Sequence, residues 1–330
     1  MGKGSASHGT TQSLDGSASG SHELEDLGQT LVLASSTGDI NRLEALLGEV
    51  QDRNPSHLPT DGFLLQTAAK QGQAECIRFL LQHLPGCAAR PDRRWEPLLP
   101  EGFAYGDIPR KWRVYEDGVI HEAIQGKDPV AVFSVFLDLG MNPNVGLGVA
   151  GSPLAQAVSS NQLDLAEYLL SRGADPSGSY MSESLLGVAA TLPNDEVLRA
   201  LVRFGAPVAA SQALQQAARY WRIQAAEVLL QHGADVNEVF TRSQYRENME
   251  LVEIPLGCAL HFAVQGVVVR DGNAASQSSF VCFLLERGAR IDLVNDKGET
   301  PVQMARRLGR AHVVDILESR GGGQGDERDV

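Results

Sequence analysis

"KGETPVQMARRLGRAHVVDILESRG", Lys297–Gly321, is the stretch on which the fold turns. Thr300 is a side-chain acceptor of the type that caps a helix N-terminus, and Pro301 fits the first helical position, where its missing N–H costs nothing. Ala305 is small enough to let a neighbouring helix come close. Gly309 permits a left-handed or tight link, after which "AHVVDIL" carries an apolar stripe at helical spacing. The stretch predicts two short helices joined by a tight link and stopped by a glycine.

The same outline recurs along the chain. Apolar runs ending in Leu-Leu or its equivalent, a few residues and then Gly appear in "VFSVFLDLGMNPN", "LAEYLLSRGADP", "VLRALVRFGAPV", "AAEVLLQHGADVN" and "VCFLLERGARID". The glycines are Gly140, Gly173, Gly205, Gly233 and Gly288, with Gly321 closing a weaker terminal copy. Successive steps are 33, 32, 28, 55 and 33 residues, the long one holding two insertions. First-half equivalents include "LVLASSTGDINRLEALL", "FLLQTAAKQGQAECIRFLL", "VIHEAIQGKDPVAVFSVF", "GSPLAQAVSSNQLDLAEYLL" and "GCALHFAV". A period near ~33 residues with a helix–link–helix unit resembles the ankyrin repeat family. The resemblance covers about residues 27–320 in about eight units, most faithfully at Thr300, Pro301 and Ala305, at Ser152, Pro153, Leu154 and Ala157, and at Ala259, Leu260, His261 and Ala263. The hydrophilic inserts ahead of "GCALHFAV" and the well-formed last unit resemble the style of filamentous-fungal ankyrin proteins.

The resemblance implies an all-α solenoid with short finger turns, stabilised by stacking of neighbours, whose long concave surface holds another protein. It also implies that His121 and His261 bond backbone between units. Partners of such proteins include transcription factors, ubiquitin-ligase components and biosynthetic enzymes. The expected function is therefore a non-enzymatic adaptor or scaffold, the alternative a nuclear transcription co-regulator acting through protein contacts. The absence of a Lys/Arg import block weakens that alternative.

One motif competes with this reading. "NVGLGVAGSPLAQAV", Asn144–Val158, has the Gly-x-Gly-x-x-Gly spacing of a dinucleotide-binding turn. That turn needs a buried strand before it and a parallel strand after the following helix. Here a helix end and glycine stop precede it, so the glycines are assigned to a finger turn, with Ser152 capping and Pro153 opening the next helix.

Composition sets the remaining bounds. The net charge of −13 opposes a general attraction to nucleic acid or anionic lipid. No apolar run approaches the ~20 residues that cross a bilayer, and no export signal is visible. Ala6 stands where a myristoylation motif needs Ser or Thr. Cys76, Cys87, Cys258 and Cys282 form no C-x-x-C pair and read as free thiols in a reducing, intracellular setting, cytoplasmic or nuclear. No cofactor is expected: His121-Glu122 lacks a second His at position 125, which is Gln, and no phosphate-binding loop or nucleophile elbow occurs. A monomer is expected.

Residues 1–26, rich in Gly and Ser, and the Gly-rich tail from Gly321 are predicted to be disordered. Three insertions interrupt the array, at about 87–118, at about 238–256, and at "QGVVVRDGNAASQSS" inside the seventh unit. Long loops often carry function, and Arg and aromatic groups anchor interfaces. Candidate partner-binding residues are therefore Trp95, Trp112 and Arg113 in the first insertion, Tyr220, Trp221 and Arg222 in "ARYWRIQ", and Tyr245 and Arg246 in the second insertion. Packing against the adjacent link is the competing expectation for Trp221, and burial within a folded-back insertion the competing expectation for Trp95 and Trp112. An enzyme seated at an insert is a third possibility, requiring ionisable groups gathered in a closed cavity.

Overall fold

A computed structural model describes residues 16–50, 59, 61–83, 118–147, 151–181, 183–245, 251–267 and 274–321. These fold into helices that follow one another in pairs. The chain divides into two compact units, Met1–Asn142 and Pro143–Val330.

In the first unit the pairs are α1 (Gly16–Thr37) with α2 (Ile40–Val50), α3 (Asp61–Gln71) with α4 (Ala74–His83), and α5 (Gly118–Gln125) with α6 (Pro129–Asp138). The first helix of each pair packs on the next, α1 on α3 and α3 on α5, while α2, α4 and α6 form a second row. Leu31, Leu43, Leu64, Leu65, Ile77 and Phe133 are buried between the rows. Buried Ser35 donates from Oγ to the Leu64 carbonyl at 2.7 Å and so satisfies itself across two pairs. The helix α1 starts at Gly16, inside the segment expected to be disordered. A helix anchored by Leu31 and Ala34 extends at little cost once nucleated, which weak local propensity over 16–26 does not forbid. Residues 1–15 lie outside the described residues, as do 322–330 of the expected disordered tail.

The second unit holds α7 (Pro153–Ser159), α8 (Leu163–Ser171), α9 (Leu185–Thr191), α10 (Glu196–Arg203), α11 (Ala213–Arg219), α12 (Ile223–Gln231), α13 (Ala259–Gln265), α14 (Ala274–Glu286), α15 (Pro301–Arg307) and α16 (Ala311–Gly321). The odd-numbered helices, seven residues each, stack as an inner row. The even-numbered ones form the outer row.

Both ends of the pairs follow from local chemistry. Ser152 caps α7 by accepting from the Ala155 N–H at 3.2 Å, Ser184 caps α9 through Gly187 N–H, and Thr300 caps α15 in a reciprocal box with Gln303. Outer helices in this unit end in left-handed glycines: φ is +91° at Gly173, +89° at Gly205, +92° at Gly233 and +86° at Gly288. After each, an alanine N–H reaches back five residues, as Ala174 does to the Leu169 carbonyl at 3.0 Å and Ala289 to Leu284 at 3.0 Å. This is the Schellman closure, and it consumes carbonyls that the helix end leaves free.

Of the expected finger at 146–151, residues 148–150 lie outside the described residues; a helix, α6, precedes it, and no strand stands before it among the described residues. Gly151, at φ +75°, is required by crowding: a Cβ would lie 2.5 Å from the Ser179 carbonyl of the next finger.

Two antiparallel hairpins depart from a purely helical fold. The short one pairs β1 (Ser179–Tyr180) with β2 (Glu183–Ser184). The longer pairs β3 (Phe240–Tyr245) with β4 (Leu251–Gly257), and it is this hairpin that the second insertion builds. Alternation of Leu251, Glu253 and Val252, Ile254 between exposed and half-buried gives the two-residue period of a strand. In the third insertion residues 268–273 are outside the described set, whereas Ala274 to Ser278 already belong to α14. The first insertion lies outside it over 84–117.

Candidate binding surface

Each inner helix buries most of its seven residues. In α11, Ala213 to Ala218 are all buried, and only Arg219 and the capping Tyr220 reach the surface. The same register leaves Ser159 and Ser160 at the end of α7, Gln265 at the end of α13, and Arg307 and Leu308 at the end of α15. The free surface of the inner row is thus the C-terminal edge of its helices. Tyr220 is 40 % exposed and Leu308 38 %. The opposite, N-terminal side carries the fingers, whose tips expose Met181 and Leu251 at 67 % and 53 %.

The outer row is occupied differently. Its surface charges are tied across repeats: Arg203 reaches Glu167 at 2.7 Å and Arg287 reaches Glu227 at 3.0 Å. Arg287 also lies over the Phe283 ring, 4.8 Å from its centroid.

Of the sequence candidates, Tyr220 is exposed at the edge. Trp221, half-buried with φ +54°, turns its indole inward and donates Nε1–H to the Ala263 carbonyl at 2.9 Å. Its ring lies against Gly266, where a Cβ would come within 2.3 Å of Cζ2. Packing on the adjacent link, rather than an exposed anchor, is therefore the geometry of Trp221. Arg222 caps α12. Tyr245 stands in β3 opposite Leu251. Trp95, Trp112, Arg113 and Arg246 lie outside the described residues. Arg219, Leu308 and Arg310 share this edge and were not among the sequence candidates. Aligning the repeats by their left-handed links, rather than by their terminal glycines, would have found them.

The chemistry at position 261 is structural. His261 accepts from the Cys258 N–H through Nδ1 at 3.3 Å, so Nε2 carries the proton and donates to the Glu299 carbonyl of the next repeat at 3.0 Å. The Cys258 thiol sits 3.3 Å from Nδ1. Burial pushes that thiol above its ordinary value and the imidazole below its own. Both groups are held neutral, the opposite of a thiolate–imidazolium nucleophile. His121, expected to play the same inter-repeat role, is exposed on α5, with no such bond among the described residues. Gly118, the first residue of α5, stands three residues before His121, where Cys258 stands before His261. No group of three or more His, Cys, Asp or Glu that could hold a metal occurs among the described residues. No described helix is long and apolar enough to cross a membrane.

Inter-repeat contacts recur at the fingers. Asn144 donates Nδ2–H to the Gly173 carbonyl at 3.1 Å and accepts from the Asp175 N–H at 2.7 Å. Asn237 repeats this with Gly288 at 3.1 Å and Arg290 at 2.8 Å. An asparagine in one finger thereby clamps the glycine turn of the next repeat.

Comparison with known proteins agrees with this architecture. The family model described as ankyrin repeats, three copies, matches residues 154–239. No curated protein gives a significant match. An ankyrin repeat domain from Acinetobacter baumannii AYE is similar at 22 % identity with a TM-score of 0.48, over 61 % of this chain and 97 % of that one. The ankyrin repeat protein EF0377 is similar at 24 % identity with a TM-score of 0.50, over 62 % of this chain and 98 % of that one, which supports the fold. With capped helix pairs, glycine turns and finger clamps repeating through the matched region, residues 154–239 carry ankyrin repeats and the fold is of the ankyrin-repeat kind.

Proposed function

We propose that this chain is a non-enzymatic adaptor or scaffold that grips a partner protein along the inner-helix edge and the fingers of its repeats. Ankyrin repeats are in general protein–protein interaction modules, and the reading for this chain rests on where its exposed apolar groups lie. Met181, Leu251, Tyr220 and Leu308 stand on the finger and inner-edge sides, whereas on the outer row Phe204 lies under the Arg203 guanidinium and the arginines are engaged by neighbouring carboxylates. Exposed aromatic and aliphatic groups within a polar rim are the usual anchors of a protein interface. An intracellular monomer belongs to the same proposal, supported by Cys76, Cys258 and Cys282, all free.

The test is site-specific photo-cross-linking of the full chain in cells. A photoreactive side chain replacing Met181, Tyr220 or Leu251 is expected to yield partner adducts, and one replacing Glu167 on the outer row is expected to yield none. Adducts confined to the Glu167 position would overturn the assignment of the surface. Trp95, Trp112, Arg113, Tyr245 and Arg246 are proposed as further anchors. Loss of adducts on deleting 88–118 is the expected sign that the first three contribute.

A further inference from the structure

Two links of the second unit share a pattern that the repeat itself does not require. The link after α11 reads Arg219-Tyr220-Trp221-Arg222 and the link after α15 reads Arg307-Leu308-Gly309-Arg310. Their backbones coincide. The third residue is left-handed in both, φ +54° at Trp221 and +68° at Gly309. The arginine that follows bonds back to the inner helix at 2.9 Å in both, Arg222 to Ala217 and Arg310 to Ala305. Each therefore presents an exposed apolar group, Tyr220 or Leu308, between two arginines.

Helix electrostatics accounts for the first arginine of each set, since Arg219 and Arg307 lie in the last turn of an inner helix, where the dipole favours a cation. It does not account for the second. Arg222 is the N-cap of α12, and Arg310 immediately precedes α16, so both sit at the positive end of an outer helix. The Nε of each is buried without a hydrogen-bond partner among the described residues. Arg307 is already held by Glu299 at 2.6 Å, and Arg219 lies over the Phe262 ring at 5.7 Å. Among the described residues Arg219, Arg222 and Arg310 have no carboxylate partner. Neither 219–224 nor 306–312 contains an acidic residue, although the chain as a whole carries a charge of −13.

From this charge pattern we infer that the two links are a pair of clasps for an extended acidic peptide of the partner, the first taking an apolar side chain flanked by carboxylates at Arg219 and Arg222, the second an apolar side chain with a carboxylate at Arg310. The inference rests on the protein-binding function proposed above and specifies the partner's chemistry. The links are two repeats apart, with α13 packed between α11 and α15. At about 8–10 Å per packed helix the clasps lie roughly 20 Å apart. An extended chain spans that in about six residues at ~3.3–3.6 Å each. The net negative field does not prevent this, because salt screens beyond about 8 Å at physiological strength and the nearest charges decide.

The test uses fluorescence anisotropy on the full chain with labelled synthetic peptides. One carries two Glu-Leu-Glu clusters centred six residues apart, a second has them three apart, and a third replaces every Glu by Lys. The first is expected to bind at least about tenfold more tightly than the third, against the sign of the whole chain's charge, and more tightly than the second through its two-point attachment. Arg222→Gln and Arg310→Gln are each expected to weaken it by about two- to fivefold, and Arg203→Gln on the outer row to leave it unchanged. Should Arg222→Gln unfold, Tyr220→Ala and Leu308→Ala at exposed positions give the same readout. Equal or tighter binding of the Lys peptide, or an acidic peptide indifferent to these substitutions, overturns the inference. If that happens while cross-links still form at Met181 and Leu251, the adaptor function stands and only the partner's chemistry is wrong.

Discussion

His261 links sequence to stability through a single proton. Its Nδ1 must stay unprotonated to accept from Cys258, and burial lowers its pKa in the folded protein. The unfolded chain, with histidine near ~6.5, therefore binds that proton more readily. The stabilisation it provides is complete above about pH 6.5 and is lost as pH falls from there through the lower folded value. Gln303 fills the equivalent place in the last repeat, its Oε1 accepting from Thr300 N–H at 2.8 Å, which shows that an amide can serve. His261→Gln is expected to lose less urea resistance than the wild type between about pH 7.5 and 5.5. An identical pH response in both would remove the histidine from this account. The role of His261 was legible in the sequence through the resemblance. Its failure to recur at His121 was not, because the role depends on the next repeat bringing a backbone carbonyl to the ring, as it does with Glu299 for His261.

At the scale of single elements, glycines that look alike in sequence act for different reasons. Gly233 closes α12 at φ +92°, and a Cβ there would meet nothing within 4 Å. Gly266 closes α13 at φ +56°, and a Cβ there would run into the Trp221 ring. Gly233→Ala is expected to cost about 1–2 kcal/mol, the price of a left-handed alanine alone. Gly266→Ala is expected to cost clearly more, and urea denaturation of the two variants side by side decides it. Equal losses would mean that the indole yields easily. The five outer-helix stops at Gly140, Gly173, Gly205, Gly233 and Gly288 were readable because they repeat. The β3–β4 hairpin was not. Its turn lacks an Asn-Gly or Asp-Gly signal, its strands pair only with each other among the described residues, and a six-residue half-polar alternation is a weak pattern on its own.

Across the second unit as a whole, stability passes from repeat to repeat through few polar bonds and a continuous apolar interior. The Asn237 clamp is one such coupling, joining the sixth repeat to the seventh across the inserted hairpin. Asn237→Ala is expected to cost about 1–3 kcal/mol and to lower the slope of the urea transition, as coupling between neighbours weakens. Glu227→Gln breaks an exposed ion pair between the same repeats and is expected to cost under about 1 kcal/mol with no change of slope. The reverse order would place the coupling on the outer row.

The sequence alone determined the helix pairs, their caps, their glycine stops and their period, because each depends on residues within one or two turns of the chain. Tertiary structure decided which surface groups the stack uses and which it leaves free. Trp221 is taken by a carbonyl 42 residues away, Asn237 by a turn more than 50 residues away, and Tyr220 beside them is left exposed. Those choices rest on which repeat lies next in space, and a local pattern carries no record of that distance.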